Sequence, residues 1–307
     1  MNRQHVITTA QFFDRAVLER LFRLASEMER QVKAHRVERR LQGYVMAALF
    51  YEPSTRTRFS FEAAMHRLGG SVISSEAAGQ FSSALKGESL EDSIRVTGGY
   101  ADLIVLRHPE VGSAERAAAV SSVPIINAGD GGGEHPTQAL LDVFTIQQEL
   151  GRIDGLKLAL VGDLRHSRSM HSLLFLLGLY DIELLLVAPK QLQLTETYRR
   201  YLKANKVRYS CAESLEALDK SLDIVYMNRI QKERFDDPGE YERLKDYLTF
   251  RLKNLDQLKP AARVMDPLPR VGKIDLAVDQ DPRAAYFRQA QNGLYLRMAL
   301  LAEILPA

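Results

Sequence analysis

At 307 residues the chain is long enough for two domains, each with its own core. Its 41 Lys and Arg against 39 Asp and Glu leave a net charge of +2, which excludes a global excess aimed at nucleic acid or an anionic membrane surface. Cys211 is the only cysteine, which excludes an intrachain disulfide and any Cys-based zinc or cluster site and fits a reducing, cytoplasmic setting.

Met1 to Thr9 has no apolar h-region and no cleavage site, so neither a signal peptide nor a transit peptide is expected. The most apolar window, Leu173 to Ala188, is interrupted by Asp181 and Glu183 and does not read as a membrane span. Between Phe13 and His35, Val17, Leu18, Leu21, Phe22, Ala25 and Met28 recur at helical spacing, which predicts an amphipathic first helix. Apolar runs suited to buried strands then alternate with helical segments. The first series is Tyr44–Phe50, Ser71–Ser75, Leu103–Leu106 and Pro124–Asn127. The second is Leu156–Val161, Ile182–Val187, Val207–Tyr209, Asp223–Met227 and Arg263–Met265.

Strands buried on both faces and alternating with helices predict an α/β architecture of two domains, each a mainly parallel sheet flanked by helices. Between the series, Ala128 to Gln138 reads as a flexible glycine-rich loop, with Pro136 suited to the first turn of the helix ending at Leu150. The domain junction is placed on that helix. The boundaries expected are 1–135 for the first domain, 136–150 for a connecting helix and 151–285 for the second domain. A last helix, 286–307, is expected to complete the first domain.

The run Ser54-Thr55-Arg56-Thr57-Arg58 follows the first strand, and Ser54 or Thr55 is suited to cap the next helix. Hydroxyls and guanidiniums around a helix amino end make an anion cradle. The same residues also suit an ordinary capped helix with solvated arginines. Other polar residues fall after strands as well: Arg107 and His108, His135 and Gln138, Arg168, Arg229 and Gln231, and Pro267-Leu268. Ligands of parallel sheets collect at those carboxyl ends. Singly, each has a duller reading; Arg168, for example, is within reach of pairing with Asp163, and Arg229 lies in a charge-rich loop. Together they point to a cleft between the domains that takes small polyanionic substrates.

In order and spacing, these motifs resemble the catalytic chain of the aspartate carbamoyltransferases along nearly the whole sequence. The resemblance rests on Ser54-Thr55-Arg56-Thr57-Arg58, Leu106-Arg107-His108-Pro109, His135-Pro136-Thr137-Gln138 and Val161-Gly162-Asp163 with Arg168 before His171-Ser172-Leu173. It continues through Tyr226-Met227 with Arg229, Gln231-Lys232-Glu233-Arg234 and Pro267-Leu268-Pro269-Arg270. It implies transfer of a carbamoyl group from carbamoyl phosphate to L-aspartate in pyrimidine synthesis, with no metal and no organic cofactor. Ser54, Thr55, Arg56, Thr57 and Arg107 would hold the phosphate. His135, with Arg56 and Thr57, would polarise the carbonyl, and Gln138 with the main-chain carbonyls of Pro267 and Leu268 would hold the carbamoyl amide. Arg168, Arg229 and Gln231 would grip aspartate.

The resemblance also implies that Ser82 and Lys86 reach a neighbouring subunit's site, so that a homotrimer or a dimer of trimers shares its active sites. Lys86 would serve both catalysis and aspartate binding there. Glu52 would pair with Arg168 and Arg234 as the domains close. A regulatory chain or a dihydroorotase are possible further partners; nucleic acid and membranes are not expected.

Two positions depart from the family pattern. Asp266 stands where His precedes Pro-Leu-Pro-Arg, and Gly272-Lys273 stand where an acidic pair often follows. Asp266 is expected to point away from the cleft and to pair with a neighbouring arginine. The alternatives weighed are a carbamoyltransferase for another amine such as ornithine, whose His-Cys-Leu-Pro element is missing here, and a non-catalytic member acting within an assembly. A dehydrogenase is set aside because no G-x-G-x-x-G follows Val161.

Overall fold

The computed structural model describes residues 5–76, 87–230, 237–244 and 247–305. The chain forms two compact units, one of residues 1–141 with 291–307 and the other of residues 142–290.

In unit 1, α1 (Arg15–Lys33) starts at Asp14, whose carboxylate accepts from the Ala16 N–H, and buries Leu18, Leu21, Phe22, Ala25 and Met28. There follow β1 (Val45–Phe50), α2 (Thr55–Arg67), β2 (Ser71–Glu76), α3 (Leu90–Gly98), β3 (Leu103–His108), α4 (Ser113–Val120) and β4 (Ile125–Asp130). The sheet is parallel throughout, in the order β2-β1-β3-β4. Val6 extends it by pairing beside Ile126. Ala47, Ile104, Leu106 and Ile125 of the sheet pack with Leu90 and Ile94 of α3 and Ala117 of α4.

α5 (Pro136–Leu150) carries the chain across the unit boundary, and unit 2 continues with β5 (Leu156–Val161), α6 (Arg168–Leu177), β6 (Ile182–Val187), α7 (Glu196–Ala204), β7 (Arg208–Ala212), β8 (Ile224–Met227), α8 (Pro238–Leu244) and β9 (Arg263–Met265). Its five strands are again parallel, in the order β7-β6-β5-β8-β9. Its core joins Val161, Val225, Met227 and Val264 to Phe250, Leu255 and Tyr286. α9 (Tyr286–Ile304) returns to unit 1, where the Arg297 guanidinium lies 4.9 Å from the Phe61 ring of α2 and Glu303 pairs with Arg20.

Not every strand is buried on both faces. β2 and β7 are sheet edges, and most of their residues are exposed or half-buried. An edge needs apolar contact on fewer sides, so Ser71, Ser74, Ser75 and Glu76 are tolerated there. β3 and β4 also run beyond their apolar stretches, through Arg107-His108 and Gly129-Asp130, because ladder pairing continues where hydrophobicity ends.

Candidate active site

The polar residues of unit 1 collect at the carboxyl ends of the adjacent strands β1, β3 and β4. Ser54 occupies the cap position of α2, yet its side chain makes no capping hydrogen bond, contrary to the sequence expectation. Its backbone, at φ −158 and ψ 79, lies outside the usual cap geometry. The first-turn N–H groups therefore have no intrahelical acceptor and no capping hydroxyl from Ser54, and no acid sits in that turn to offset the dipole. Thr57 is buried, Ser54 is half-buried, and Thr55 and Arg56 are exposed.

Arg58 does not belong to this cradle. Its guanidinium is held by Glu62 at 3.1 Å and Glu76 at 2.8 Å and lies over the Phe59 ring, tying α2 to the edge strand. Of the two guanidiniums in the motif, this one is spent on structure.

Among the contacts that aim Arg107, Nη1 donates to the Ala128 carbonyl at 3.1 Å, and Nη2 lies 3.4 Å from the Glu52 carboxylate. Its own carbonyl accepts from the Tyr51 N–H at 2.8 Å, which ties the exit of β1 to the end of β3. Next to it, burial pushes the His108 imidazole below its usual range, and the ring packs at 4.7 Å from Tyr51.

The glycine-rich segment before α5 is pinned rather than flexible. The Asp130 carboxylate accepts from the N–H groups of Glu134 at 2.8 Å and Gly112 at 3.0 Å, while Glu134 accepts from the Thr9 N–H at 2.7 Å and from the Thr9 hydroxyl. At Gly131, φ is +52 and a Cβ would lie 2.2 Å from the Pro109 carbonyl oxygen, so only glycine fits. His135 follows, buried, and its carbonyl accepts from Gln138 and Ala139 at the start of α5. Gln138 stands in the first turn of that helix.

In unit 2 the corresponding residues stand at the ends of adjacent β5, β8 and β9. Gly162, at φ +120, lets the chain after β8 cross close by; a Cβ would lie 1.9 Å from the Asn228 carbonyl oxygen. Asn228 in turn donates from Nδ2 to the Asp163 carbonyl at 2.9 Å, which fixes the half-buried Arg229 beside the β5 turn. Asp163 is fully buried and accepts from the His166 N–H at 2.9 Å. Arg168 opens α6, whose cap Ser167 accepts from the Met170 N–H at 3.4 Å. His171 Nε2–H donates to the Leu164 carbonyl at 2.9 Å and its ring stacks 3.9 Å from Tyr198. Burial pushes its pKa down to about 4.

After β9 come Asp266, Pro267 and Leu268. Asp266 is buried and pairs with Lys273 at 2.7 Å, not with an arginine as the sequence suggested. Arg270, the nearest candidate, is taken by Asp279. Ser82, Lys86, Gln231 and Arg234 lie outside the described residues. Among the described residues, no group of three or more His, Cys, Asp or Glu side chains could hold a metal ion, and no helix is long and apolar enough to cross a membrane.

Residues 4–148 match the family described as aspartate/ornithine carbamoyltransferase, carbamoyl-P binding domain, and residues 154–304 match the Asp/Orn binding domain of the same family. The chain belongs to the aspartate/ornithine carbamoyltransferase family. It is 49% identical over 301 residues to aspartate carbamoyltransferase 3, chloroplastic, of Pisum sativum, covering 97% of this chain and 77% of the pea protein. The catalytic subunit of the Methanocaldococcus jannaschii enzyme is 47% identical, with 98% of each chain covered. Among solved structures, this family member is similar to the aspartate transcarbamoylase of Trypanosoma cruzi in complex with N-(phosphonacetyl)-L-aspartic acid, at TM-score 0.92 and 42% identity over 99% of this chain and 96% of that one. The M. jannaschii catalytic subunit gives 0.90 and 46%, over 98% and 97%.

Sequence reasoning passed over the residues that hold the site rather than form it: Asp130, Glu134 and Asn228. Apart from the short Asp130–Glu134 contact, their partners Gly112, Thr9 and Asp163 lie at separations invisible to periodicity, although Glu134 and Asn228 each sit one residue before a named site residue.

Proposed function

We propose that the chain transfers the carbamoyl group of carbamoyl phosphate to the amino group of L-aspartate, releasing phosphate and N-carbamoyl-L-aspartate. The observation that carries this reading is the grouping of Ser54 to Thr57, Arg107 and His135 at the carboxyl ends of three adjacent strands, in a chain whose relatives include named aspartate carbamoyltransferases. The T. cruzi enzyme has been solved with carbamoyl phosphate and aspartate together.

In this reading the amino end of α2, with Ser54, Thr55, Arg56 and Thr57, receives the phosphate, joined by Arg107. Glu52 neutralises part of Arg107 until an anion takes its place, so binding exchanges a carboxylate for the phosphate. The neutral amine attacks the carbonyl carbon, the carbon–nitrogen bond forms, and charge develops on the carbonyl oxygen beside His135, Arg56 and Thr57. Collapse breaks the bond to the bridging oxygen, and the departing phosphate accepts the proton lost by the amine. Gln138 and the carbonyls of Pro267 and Leu268 orient the carbamoyl amide, and Arg168, Arg229 and Gln231 hold the carboxylates of aspartate. Much of the acceleration comes from holding the two reactants together.

The family's domain names allow ornithine as well as aspartate. Arginines at the ends of β5 and β8 favour a dicarboxylate over an amine carrying a second cation. Phosphate release should therefore depend on aspartate; release that ignores aspartate, or needs ornithine, would contradict the assignment.

The proposal extends to a homotrimer in which Ser82 and Lys86 complete a neighbouring site. Lys86→Ala and Arg56→Ala subunits, each nearly inactive, should regain partial activity when mixed. Mixed trimers that stay inactive would remove the shared site.

A further inference from the structure

The turn after β9 is held from beneath by a continuous chain of buried polar contacts. The Asp266 N–H donates to Gln289 Oε1 at 2.8 Å, and Gln289 Nε2 donates to Asp142 Oδ1 at 2.7 Å. The other Asp142 oxygen accepts from the Tyr226 hydroxyl at 2.6 Å. Asp142, Tyr226, Gln289 and Asp266 are all at most 1% exposed. Burial, then the Asp142 carboxylate, drives the Tyr226 hydroxyl well above its usual pKa, so it stays a donor.

The Asp266 side chain closes the turn itself. Oδ1 accepts from the Leu268 N–H at 2.5 Å, and Oδ2 meets Lys273 Nζ at 2.7 Å, with both side chains withdrawn from solvent. Lys273 is anchored in its turn, because its carbonyl accepts from the Phe250 N–H at 2.7 Å and its N–H donates to the Arg270 carbonyl at 2.9 Å. Leu268 sits at φ +56, a conformation that a branched residue adopts only when its surroundings impose it, and its side chain packs against the core of unit 2. The main-chain carbonyls of Pro267 and Leu268 are thus aimed by Asp266 on one side and by the core on the other.

We infer that Asp266 and Lys273 form a positioning pair for the Pro267-Leu268 turn, in which the carboxylate fixes the turn and the ammonium cancels its charge. The inference rests on the reading that these two carbonyls receive the carbamoyl amide. Two demands meet at Asp266. The turn needs an acceptor for the Leu268 N–H, and a site for a dianionic substrate tolerates no uncompensated carboxylate nearby. Lys273 reconciles them. Asparagine with a neutral partner would satisfy both demands equally well, whereas alanine would satisfy only the second.

That distinction supplies the test. Wild type and three full-chain variants, Lys273→Met, Asp266→Asn/Lys273→Met and Asp266→Ala/Lys273→Met, are assayed with each substrate varied in turn, and folding is checked by thermal melting. Lys273→Met should raise the KM for carbamoyl phosphate about tenfold, the Asn/Met variant should return to within about threefold of wild type, and the Ala/Met variant should again be about tenfold weaker. The KM for aspartate should stay within about threefold throughout. If Lys273→Met does not fold, the two double variants decide, since neither buries an unpaired charge. Equal carbamoyl phosphate KM values in the double variants, or parallel changes for both substrates, would overturn the inference. Failure of the functional reading is distinguishable, because it would appear as absent turnover in the wild type, before any substitution.

Discussion

The amino ends of α2 and α6 follow a strand in each sheet and each presents an arginine, but they are built differently. At α6, Ser167 caps the helix, His171 ties back to Leu164, and Asp163 holds His166, so the end is closed by its own side chains. At α2, Ser54 makes no capping bond; neither helix has an acid in its first turn, so the cap alone distinguishes the two ends. In the proposed reaction, the difference separates two ways of binding anions. A capped end leaves recognition to the side chains of a fixed turn, and an arginine there suits planar carboxylates. An open end offers main-chain donors, hydroxyls and the helix dipole together, which suits the tetrahedral oxygens of phosphate.

The largest expected effects divide along that line. Arg107→Ala should lower kcat/KM for carbamoyl phosphate about a thousandfold, because it removes a charged donor from a site where charge develops. Arg229→Ala should instead raise the KM for aspartate, by about a hundredfold for a lost charge-assisted pair. Steady-state kinetics with each substrate varied would reveal the split; equal losses for both substrates in both variants would break the comparison.

The closed end of α6 should also make unit 2 sensitive to acid. His171 is neutral in the folded protein down to about pH 4, whereas the unfolded imidazole titrates near its ordinary value. Between those values the unfolded chain holds the extra proton, so stability is present at neutral pH and is lost as pH falls. The loss should reach about 2 kcal/mol between pH 7 and pH 5. Urea unfolding at the two pH values would measure it, and His171→Gln should remove that part of the dependence. An unchanged dependence in the variant would place the sensitivity elsewhere.

The smallest effect is the sharpest contrast. Ser167→Ala should cost about 1 kcal/mol of stability through the lost cap, with carbamoyl phosphate binding unchanged. Ser54→Ala should do the opposite, weakening carbamoyl phosphate about tenfold with stability unchanged, since a hydroxyl without a capping bond stabilises nothing. Identical behaviour of the two variants would remove the distinction between open and closed ends.

Several of these features were legible in the sequence for physical reasons. Leu156–Val161, Ile182–Val187 and Arg263–Met265 match their strands end to end, because turn residues bound each apolar run. Nothing in hydrophobicity marks the continuation of β3 through Arg107 and His108, although that continuation is what brings Arg107 to the sheet end. The Arg58 ion pair with Glu62 was visible as an i,i+4 spacing, but its second partner, Glu76, depends on where β2 packs. Asp142 stands among Leu140, Leu141, Val143 and Phe144, a buried-looking acid whose partners, Tyr226 and Gln289, come from strands and helices far along the chain. The pinning of His135 through Glu134 and Thr9 spans 125 residues and has no local signature.

In the proposed reaction a carbamoyl group passes from the amino end of α2 to an amine recognised by its two carboxylates. Isotopically labelled carbamoyl phosphate supplied with equal aspartate and ornithine tests it most directly. Label should appear on the amino nitrogen of aspartate alone, at a rate equal to phosphate release. Label on ornithine, or phosphate released without any labelled amine, would contradict it.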